Sequence, residues 1–489
     1  MKQFTLSLIT ISVLLILTGC TTSTTLPHES SLPPLDSVES SASQESAYTH
    51  SSIELGALDS NSMFTSRDYD ASYDESTATK IQLGEDTIRI TEEGVYILSG
   101  TLDNGQIIVE LPAQDKIQLV LDQVTIHSAS SAPIYIKSGD KVFITLAPSS
   151  TNLLSVSGAY EQIDDNNIDG VIFSKSDLTF NGTGSLSIQA TYGHGIVGKD
   201  DVVFTGGTYH IAAQDHGICG NDSIRIADGV FHINSGKDGM QADHDDDPTL
   251  GYVYISNGSY SIHAQQDGIS ASSTLQIDGG DFSIASGGGF EQVLNIITKG
   301  EGPGNIPQVT DTLTESMKGL KGMTILLMDG IFQISSYEDA IHANDELLIH
   351  GGEFHILSGD DALHADHTVT IYDGTIVVED AYEGIEGIYV VIRGGDITLN
   401  VLDDAINASE TDGSITIEGG TIFLIASGDG VDSNGDFFMS GGTLVIDSNP
   451  IYSGGDGAID ITGSTQITGG SITDEKGNAI NLNSSSRQR

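Results

Sequence analysis

Short apolar segments separated by polar turns follow one another along most of the chain. Segments such as Val95–Leu98, Ile107–Leu111 and Val142–Leu146 are rich in β-branched residues, and Gly, Asp, Asn and Ser separate them. Runs of this length and composition are typical of β-strands. No apolar period of 3.6 residues, which would indicate helices, runs through them. The pattern therefore predicts an all-β structure.

A two-residue turn that ends in glycine recurs at a regular spacing after about residue 170. Its commonest spacing is 22 residues, as between Gly330 and Gly352. A second marker lies midway between the turns and consists of an acidic residue, then Gly or Ala, then usually an aliphatic residue. The turn glycines are Gly207, Gly229, Gly258, Gly280, Gly330, Gly352, Gly374, Gly395, Gly420, Gly442 and Gly470.

A repeat of about 22 residues with about three short strands is typical of a β-solenoid, in which each repeat forms one coil. Frequent glycine excludes a helical repeat, because each Gly costs about 1 kcal/mol in a helix interior. A β-propeller blade needs about 40 residues. We therefore expect a single right-handed parallel β-helix over residues 80–489, with an insert at about 287–322.

The start of the chain has the composition of a secretory signal. Lys2 precedes an apolar run over residues 4–17, and Leu17-Thr18-Gly19-Cys20 resembles the bacterial lipobox, in which the cysteine is lipidated. We expect a lipoprotein signal peptide at 1–19, a lipid on Cys20 that anchors the protein on the extracellular face of the membrane, and a flexible, disordered Ser/Thr-rich linker over 20–79. A plain signal peptide and an uncleaved anchor helix are the alternatives.

The charge of the chain excludes one class of partner and suggests another. Asp and Glu number 69 against 18 Lys and Arg, so the formal net charge is −51. A chain this acidic is repelled by phosphate backbones, which excludes nucleic-acid binding. The 38% of hydrophobic residues is sufficient for a core, so disorder of the whole chain is excluded as well.

Stacking of coils at about 4.8 Å brings the acids of the second marker into one column on the outside of the coils. Like charges about 5 Å apart repel by roughly 1 kcal/mol per pair in water, and the basic residues are too few to offset them. Carboxylate oxygens are the ligands that Ca²⁺ prefers, so we expect calcium on this column. The predicted ligands are Asp215, Asp238, Asp243, Asp245, Asp267, Asp339, Asp360, Asp361, Asp366, Asp403, Asp404 and Asp429.

Simpler interpretations exist for the same residues. Any single aspartate can serve as a turn cap or a solubilising charge. His194, His216, His342 and His364 lie at corners near acids, where we expect hydrogen-bonded side chains, and metal ligation by His342 or His364 is the alternative. Zinc is disfavoured because no Cys/His set has tetrahedral spacing. Cys219 is expected to be a small buried apolar residue.

The chain contains several distinctive motifs: the run from Asp238-Gly239 through Asp243 to Tyr252-Val253-Tyr254-Ile255, Asp339-Ala340-Ile341-His342, Asp361-Ala362-Leu363-His364, Tyr382-Glu383-Gly384-Ile385-Glu386-Gly387, Asp403-Asp404-Ala405-Ile406-Asn407 and Lys318-Gly319-Leu320-Lys321. Together these motifs resemble a bacterial, clostridial-type carbohydrate-binding family with a pectate-lyase-like right-handed β-helix. The resemblance covers about residues 80 to 485 and implies secreted proteins that bind calcium and plant-type polysaccharides, including acidic pectic chains. It does not imply lyase activity.

The residues are compatible with polysaccharide binding through a cation. The chain has no Trp, so stacking on sugar rings would depend on its 16 Tyr. We expect a monomeric cell-surface lipoprotein that binds pectate or cellulose with Ca²⁺. A surface adhesin or structural rod is one alternative. A calcium-dependent polysaccharide lyase with Lys199, Arg225 or Lys237 as its base is the other, although no catalytic motif surrounds these residues.

Overall fold

Strands account for most of the secondary structure. The structure is a computed structural model, and it describes residues 57–244, 246–297, 315–448 and 457–480. These residues lie in one compact unit, Ile53–Arg489. The described part contains 40 strands, one 3₁₀ helix (Ser60–Ser62) and two α-helices, α1 (Ser66–Tyr69) and α2 (Phe290–Ile297). Cys20 and the predicted signal peptide lie outside the described residues.

The strands follow the apolar segments of the sequence. The first group is β1 (Thr79–Leu83), β2 (Ile88–Ile90), β3 (Gly94–Asp103), β4 (Ile107–Glu110), β5 (Lys116–Ser128), β6 (Ile134–Ser138), β7 (Lys141–Leu146), β8 (Thr151–Val156) and β9 (Gly170–Ser174). The second group is β10 (Asp177–Gly182), β11 (Ser185–Ala190), β12 (His194–Gly198), β13 (Asp201–Phe204), β14 (Thr208–Ala213), β15 (Ile218–Gly220), β16 (Ser223–Ile226), β17 (Val230–Ser235), β18 (Met240–Ala242), β19 (Tyr252–Ile255), β20 (Ser259–Ala264), β21 (Ile269–Ala271), β22 (Thr274–Ile277) and β23 (Asp281–Ser286). The third group is β24 (Leu320–Leu327), β25 (Ile331–Ser336), β26 (Ile341–Ile349), β27 (Glu353–Leu357), β28 (Leu363–Ile371), β29 (Thr375–Ala381), β30 (Ile385–Ile392), β31 (Asp396–Val401), β32 (Ile406–Ala408), β33 (Ser414–Ile417), β34 (Thr421–Ala426), β35 (Val431–Ser433), β36 (Asp436–Met439), β37 (Thr443–Ser448), β38 (Ile459–Ile461), β39 (Thr465–Ile467) and β40 (Ser471–Asp474).

Parallel ladders join equivalent segments of successive repeats. From β10 to β21 each strand pairs with the third strand after it, as β11 does with β14 and β14 with β17. β24 pairs with both β21 and β22 and so combines two segments of one repeat. The chain therefore winds in coils of two or three strands, and equivalent residues of neighbouring coils lie side by side. This confirms the all-β, parallel-strand prediction, while the hand of the winding stays a prediction.

Apolar side chains that point inward form ladders along the coils. One ladder consists of aromatic rings whose centroids are 4.5–5.2 Å apart, with planes within 17° of each other. Stacking of this kind adds to the burial of the rings, each of which is at most 3% exposed. The members of this aromatic ladder are Tyr209, Phe231, Tyr260, Phe282, Phe332 and Phe354.

The turn glycines have the conformation that the repeat requires. All eleven predicted turn glycines have positive φ, for example 134° at Gly330 and 104° at Gly352. Residues that carry a side chain rarely adopt this backbone conformation. A Cβ atom at Gly352 would also lie only 2.9 Å from the carbonyl oxygen of Gly330 in the preceding coil.

The structure differs from the predicted linker over its last part. Residues 57–79 include the 3₁₀ helix and α1, and Asp68 in α1 is only 2% exposed. Lys141 Nζ lies 2.8 Å from Asp68 Oδ1, and Thr179 Oγ1 donates to the same oxygen at 2.9 Å. The polar composition suggested a solvated tether, but this carboxylate has buried partners on β7 and β10.

The predicted insert begins with a helix. In α2 the side chains of Phe290 and Val293 are buried, and the N–H of Phe290 donates to Ser335 Oγ at 3.0 Å. Residues 298–314 of the insert lie outside the described residues. Within the described ranges, no helix has the length and apolar character needed to cross a bilayer.

Candidate cation site at the coil corners

Backbone hydrogen bonds hold the second sequence marker at one corner of every coil. The N–H of Gly239 donates to the carbonyl of Asp267, and the N–H of Gly384 donates to that of Asp404, with equivalent bonds between the other coils. The stacked residues form what we call the corner column. It consists of His194, His216, Asp238, Asp267, Lys318, Asp339, Asp361, Glu383, Asp404 and Asp429.

The predicted position of these acids on the outside is wrong for most of the column. Asp238, Asp267, Asp339, Asp361 and Asp429 are only 3–6% exposed. A small residue follows each acid, and it lets neighbouring main chains approach closely. At Gly239, for instance, a Cβ atom would lie 2.5 Å from the carbonyl oxygen of Gly268. The close approach leaves the carboxylates between main chains rather than in solvent.

Corner carboxylates bind the main chain of the next coil. Asp238 Oδ1 accepts the N–H of Asp267 at 2.9 Å, and Asp404 Oδ1 accepts the N–H of Asp429 at 2.6 Å. His216 uses Nδ1 in the same way for the N–H of Asp238, at 3.2 Å. The turn-cap interpretation therefore accounts for one oxygen of these acids. The second oxygen of Asp238, Oδ2, lies 3.3 Å from His216 Nδ1.

Burial of neighbouring carboxyl groups raises their pKa values. The pKa of Asp361 is raised well above its usual range by burial and by the charges of Asp339 and Asp360. Burial and the neighbouring Asp361 raise the pKa of Glu383 to about 10. Burial raises the pKa of Asp404 to about 7. Around neutral pH this part of the column therefore needs protons or bound cations.

Lys318 takes the place of an acid in the middle of the corner column. Its Nζ lies 3.2 Å from Glu338 Oε2 and 3.3 Å from Asp339 Oδ2. Burial alone would raise the pKa of Asp339, but the hydrogen bond from His342 Nδ1 at 2.7 Å and the charge of Lys318 lower it. Among the described residues no Lys or Arg forms an ion pair with Asp361, Glu383 or Asp404. The internal ammonium group therefore serves only the middle of the column.

A second column faces outward three residues after the corner. The first four members of this outer column carry no carboxylate or imidazole group, whereas the later members do, except for Asn407. Ligand atoms from two columns can converge only in the later coils. The members of this outer column are Cys219, Gln241, Ser270, Lys321, His342, His364, Glu386, Asn407, Asp432 and Asp460.

Carboxylate and imidazole atoms converge to within 4.8 Å of one another in five clusters of the described chain. Three lie around His342, His364 and Asp361, and one lies at the last coils. The clusters are Asp339–His342–His364, Asp361–His364–Glu386, Asp339–Asp360–Asp361, Asp429–Asp432–Asp460 and Asp177–Asp200–Asp201.

The structure brings some of the predicted calcium ligands together and leaves others apart. Four of them occur in these clusters: Asp339, Asp360, Asp361 and Asp429. Asp366 is exposed and lies 3.3 Å from His364 Nε2, and Asp403 accepts the Tyr382 hydroxyl at 2.8 Å. Asp245 lies outside the described residues. The predicted ligands that join none of the five clusters are Asp215, Asp238, Asp243, Asp267, Asp366, Asp403 and Asp404.

One cluster was not anticipated from the sequence. Asp177 and Asp201 begin the paired strands β10 and β13, and burial together with Asp201 and Asp200 raises the pKa of Asp177 to about 7. Asp201 is also bound by Arg225 and by Ser223. The signal in the sequence was the acid at the start of each of these two strands, which the marker based on Gly or Ala does not include.

Two of the residues considered as a lyase base have defined surroundings in the structure. The Arg225 guanidinium contacts Asp201 and donates to the carbonyl of Met63 at 3.1 Å. Lys199 lines a groove of about 220 Å³ that also contains Cys219 and the predicted ligand Asp243.

Comparisons with known proteins identify the family of the chain. A model of the family described as "Carbohydrate-binding domain-containing protein" matches residues 84–362 and 360–487. A relative with the same description from Acetivibrio thermocellus is 39% identical over 135 residues, which is 27% of this chain and 47% of that protein. The chain thus matches about half the length of this relative. A solved structure of the "polysaccharide lyase-like protein from C. thermocellum, Gadolinium derivative" is 34% identical, with a TM-score of 0.41 over 42% of this chain and 89% of that one.

Proposed function

The chain belongs to the family of carbohydrate-binding domain-containing proteins, and on that basis we propose that it binds polysaccharide with the help of divalent cations at the coil corners. The cation is Ca²⁺, and the polysaccharide is a pectic chain or cellulose. In this proposal the coils wind right-handed, and a lipid on Cys20 holds the protein at the cell surface.

The observation that carries this proposal is the convergence of carboxylates from successive coils. Asp429, Asp432 and Asp460 come from neighbouring coils, and the cluster contains oxygen ligands alone. Ca²⁺ takes six to eight oxygen ligands at about 2.3–2.6 Å, so such a cluster suits it better than one that contains imidazole. Remaining positions in its coordination shell can be filled by water or by a ligand.

Cation binding also explains how this chain can hold an acidic polymer. At a net charge of −51, the protein repels a polymer that carries carboxylates. A divalent ion that is held by protein carboxylates and partly open to solvent attracts uronate carboxylates. Binding of an acidic polysaccharide should then depend on the cation, and a chelator should abolish it.

A retention assay on immobilised polygalacturonate tests the proposal. The wild-type protein is expected to be retained in calcium and released by chelator. The double variant D429N/D432N should lose at least ten-fold in affinity, because two oxygen ligands of one cluster become amides. D412N removes a charge from an exposed position outside the clusters and should behave as wild type.

Two results would contradict the proposal. If retention is equal with and without chelator, binding does not require the cation. A protein that binds neither pectate nor cellulose in calcium would leave the family's ligand class without support in this chain. The anchor is tested separately by labelling with a radioactive fatty acid, which should be incorporated into wild type and not into C20S.

A further inference from the structure

Over four neighbouring coils one face carries no charged residue, although the chain as a whole is highly acidic. Strands β11, β14, β17 and β20 pair in register, and each presents three side chains outward. None of these positions is Asp, Glu, Lys or Arg. We call this surface the neutral face. It consists of Ser185, Ser187, Gln189, Thr208, His210, Ala212, Val230, His232, Asn234, Ser259, Ser261 and His263.

The neutral face is concave and continues along the coils. A groove of about 270 Å³ crosses it, lined by Gln189, His210, His232, Asn234 and His263 among others. This volume is slightly below the range of about 300–1,000 Å³ for sites that enclose a whole small molecule. A second groove, of about 460 Å³, lies on β23, β25 and β27, which pair onward from β20 in the same register. Charged side chains return there, because Asp281 and Glu353 begin β23 and β27 and Glu379 lines this second groove.

The two grooves lie in one line, which suits a polymer. The register rows run from Ser187 through His210 and His232 to Ser261, then through Ser283 and Gln333 to His355. Seven strands at about 4.8 Å spacing give a track of roughly 29 Å. A short segment of an extended polymer can therefore lie across the strands and occupy both grooves.

The polar groups of the groove are not engaged by the chain itself. Five polar side chains of the groove form no hydrogen bond with another protein group in the described part of the chain: Gln189, His210, His232, Asn234 and His263. The carboxylates at the coil corners differ in this respect, because they accept hydrogen bonds from the main chain. Amide, hydroxyl and imidazole groups both donate and accept, as sugar hydroxyls do. The groove therefore has capacity for a ligand that is rich in hydroxyl groups.

Imidazole rings supply the flat surfaces in this groove. His210 and His232 stack with centroids 4.8 Å apart and planes within 7°. The register places small serines beside them, Ser187 beyond His210 and Ser261 beyond His232, so neither outer ring face is covered by another ring. Tyrosines nearby cannot take this role, because Tyr209 and Tyr260 belong to the buried aromatic ladder.

We propose that the neutral face is a second polysaccharide-binding surface, which holds an uncharged glycan independently of any cation. This surface rests on the function proposed above only for the class of its ligand, a polysaccharide. An acidic polymer does not fit, because none of the five cation clusters includes a residue of this face. An added peptide strand does not fit either, because β14 and β17 already have strand partners on both sides.

Calorimetric titration of the full chain in chelator tests this surface. The probe is cellohexaose, an uncharged oligosaccharide, and polygalacturonate is titrated in parallel. Wild type is expected to bind cellohexaose with equal affinity in chelator and in calcium. H210A/H232A should lose at least ten-fold in affinity, and H367A, which removes an exposed imidazole from β28, should lose nothing. Circular dichroism melts confirm that the variants are folded.

The outcomes separate this surface from the corner site. Loss of cellohexaose binding in H210A/H232A, with polygalacturonate binding in calcium unchanged, supports the neutral face. Failure of wild type to bind cellohexaose, or unchanged binding in H210A/H232A, overturns it and leaves the corner site intact if polygalacturonate still binds in calcium. Cellohexaose binding that chelator abolishes also overturns it, because the glycan would then depend on a cation.

Discussion

Replacement of Lys318 tests the electrostatic account of the corner column most directly. Lys318→Met keeps the length and apolar stem of the side chain and removes the ammonium group. That group lies 3.2 Å from Glu338 Oε2 and 3.3 Å from Asp339 Oδ2, and all three side chains are at most 14% exposed. Loss of one partner from a buried pair costs about 3–5 kcal/mol, because it leaves an uncompensated charge.

The free energy of unfolding that K318M loses should depend on pH and should be larger at pH 7.5 than at pH 4.5. In wild type the pKa of Asp339 is lowered, so its contribution to stability is present above the unfolded value of 3.8 and is lost only as pH falls below it. In K318M the same buried carboxyl keeps the hydrogen bond from His342 but loses the neighbouring ammonium, so its pKa should rise relative to wild type. The variant should then bind a proton near pH 4.5 and recover part of the loss. The difference from wild type is expected to be largest at pH 7.5.

Urea unfolding of the metal-free protein at pH 4.5 and 7.5 measures this difference. Lys80→Met is the matched control, because Lys80 Nζ lies 2.9 Å from Glu75 Oε2 and both side chains are at least 60% exposed. An exposed pair of this kind contributes about 0–1 kcal/mol. If K318M and K80M behave alike at pH 7.5, or if K318M loses equal stability at both pH values, the reasoning about the buried column is wrong.

Three further predictions concern the column, the core and the thiol. Burial raises the pKa of Glu383 to about 10 and that of Asp404 to about 7, above their unfolded values, so the native state binds more protons than the unfolded state. Thermal melts in chelator should therefore show stability falling from pH 5 to pH 9, and excess calcium should reduce this fall. Phe332→Ala in the aromatic ladder should cost about 3–5 kcal/mol in urea unfolding, while Ile331→Ala on the outer surface, where Ile331 is 42% exposed, should change the free energy by less than about 0.5 kcal/mol. Burial raises the pKa of the Cys219 thiol, so its alkylation by iodoacetamide at pH 8 should be far slower than that of glutathione until denaturant is added, and equal rates in the native state would contradict this.

The coils could be predicted because their determinants are local and repeated. Glycine at a positive φ is required wherever the turn occurs, so the 22-residue spacing of Gly330 and Gly352 marks equivalent points of two coils. Apolar alternation between such points identifies the inward side chains, as at Phe332 and Phe354. Residues equivalent in sequence are then neighbours in space, which is why the spacing of the acids predicted the corner column.

Burial at the corner could not be predicted in the same way. Whether Asp238 or Asp361 faces solvent depends on how closely the next coil approaches, and that distance is set by main-chain conformation on both coils. Lys318 was recognised only as part of a motif, because the insert before it interrupts the spacing. The register of β21 with β24 is what places its ammonium group among acids.

The sequence by itself determined the repeat, the all-β class and which residues share a corner, since each follows from a period along one chain. Only the tertiary structure decided which acids converge, which acids form ion pairs with the Lys318 ammonium group and which surface of the coils carries no charge. These properties depend on side chains from different coils, such as Asp429 with Asp460 and His210 with His232. Electrostatic interaction energies vary with distance and burial, and neither quantity is defined until the coils have stacked.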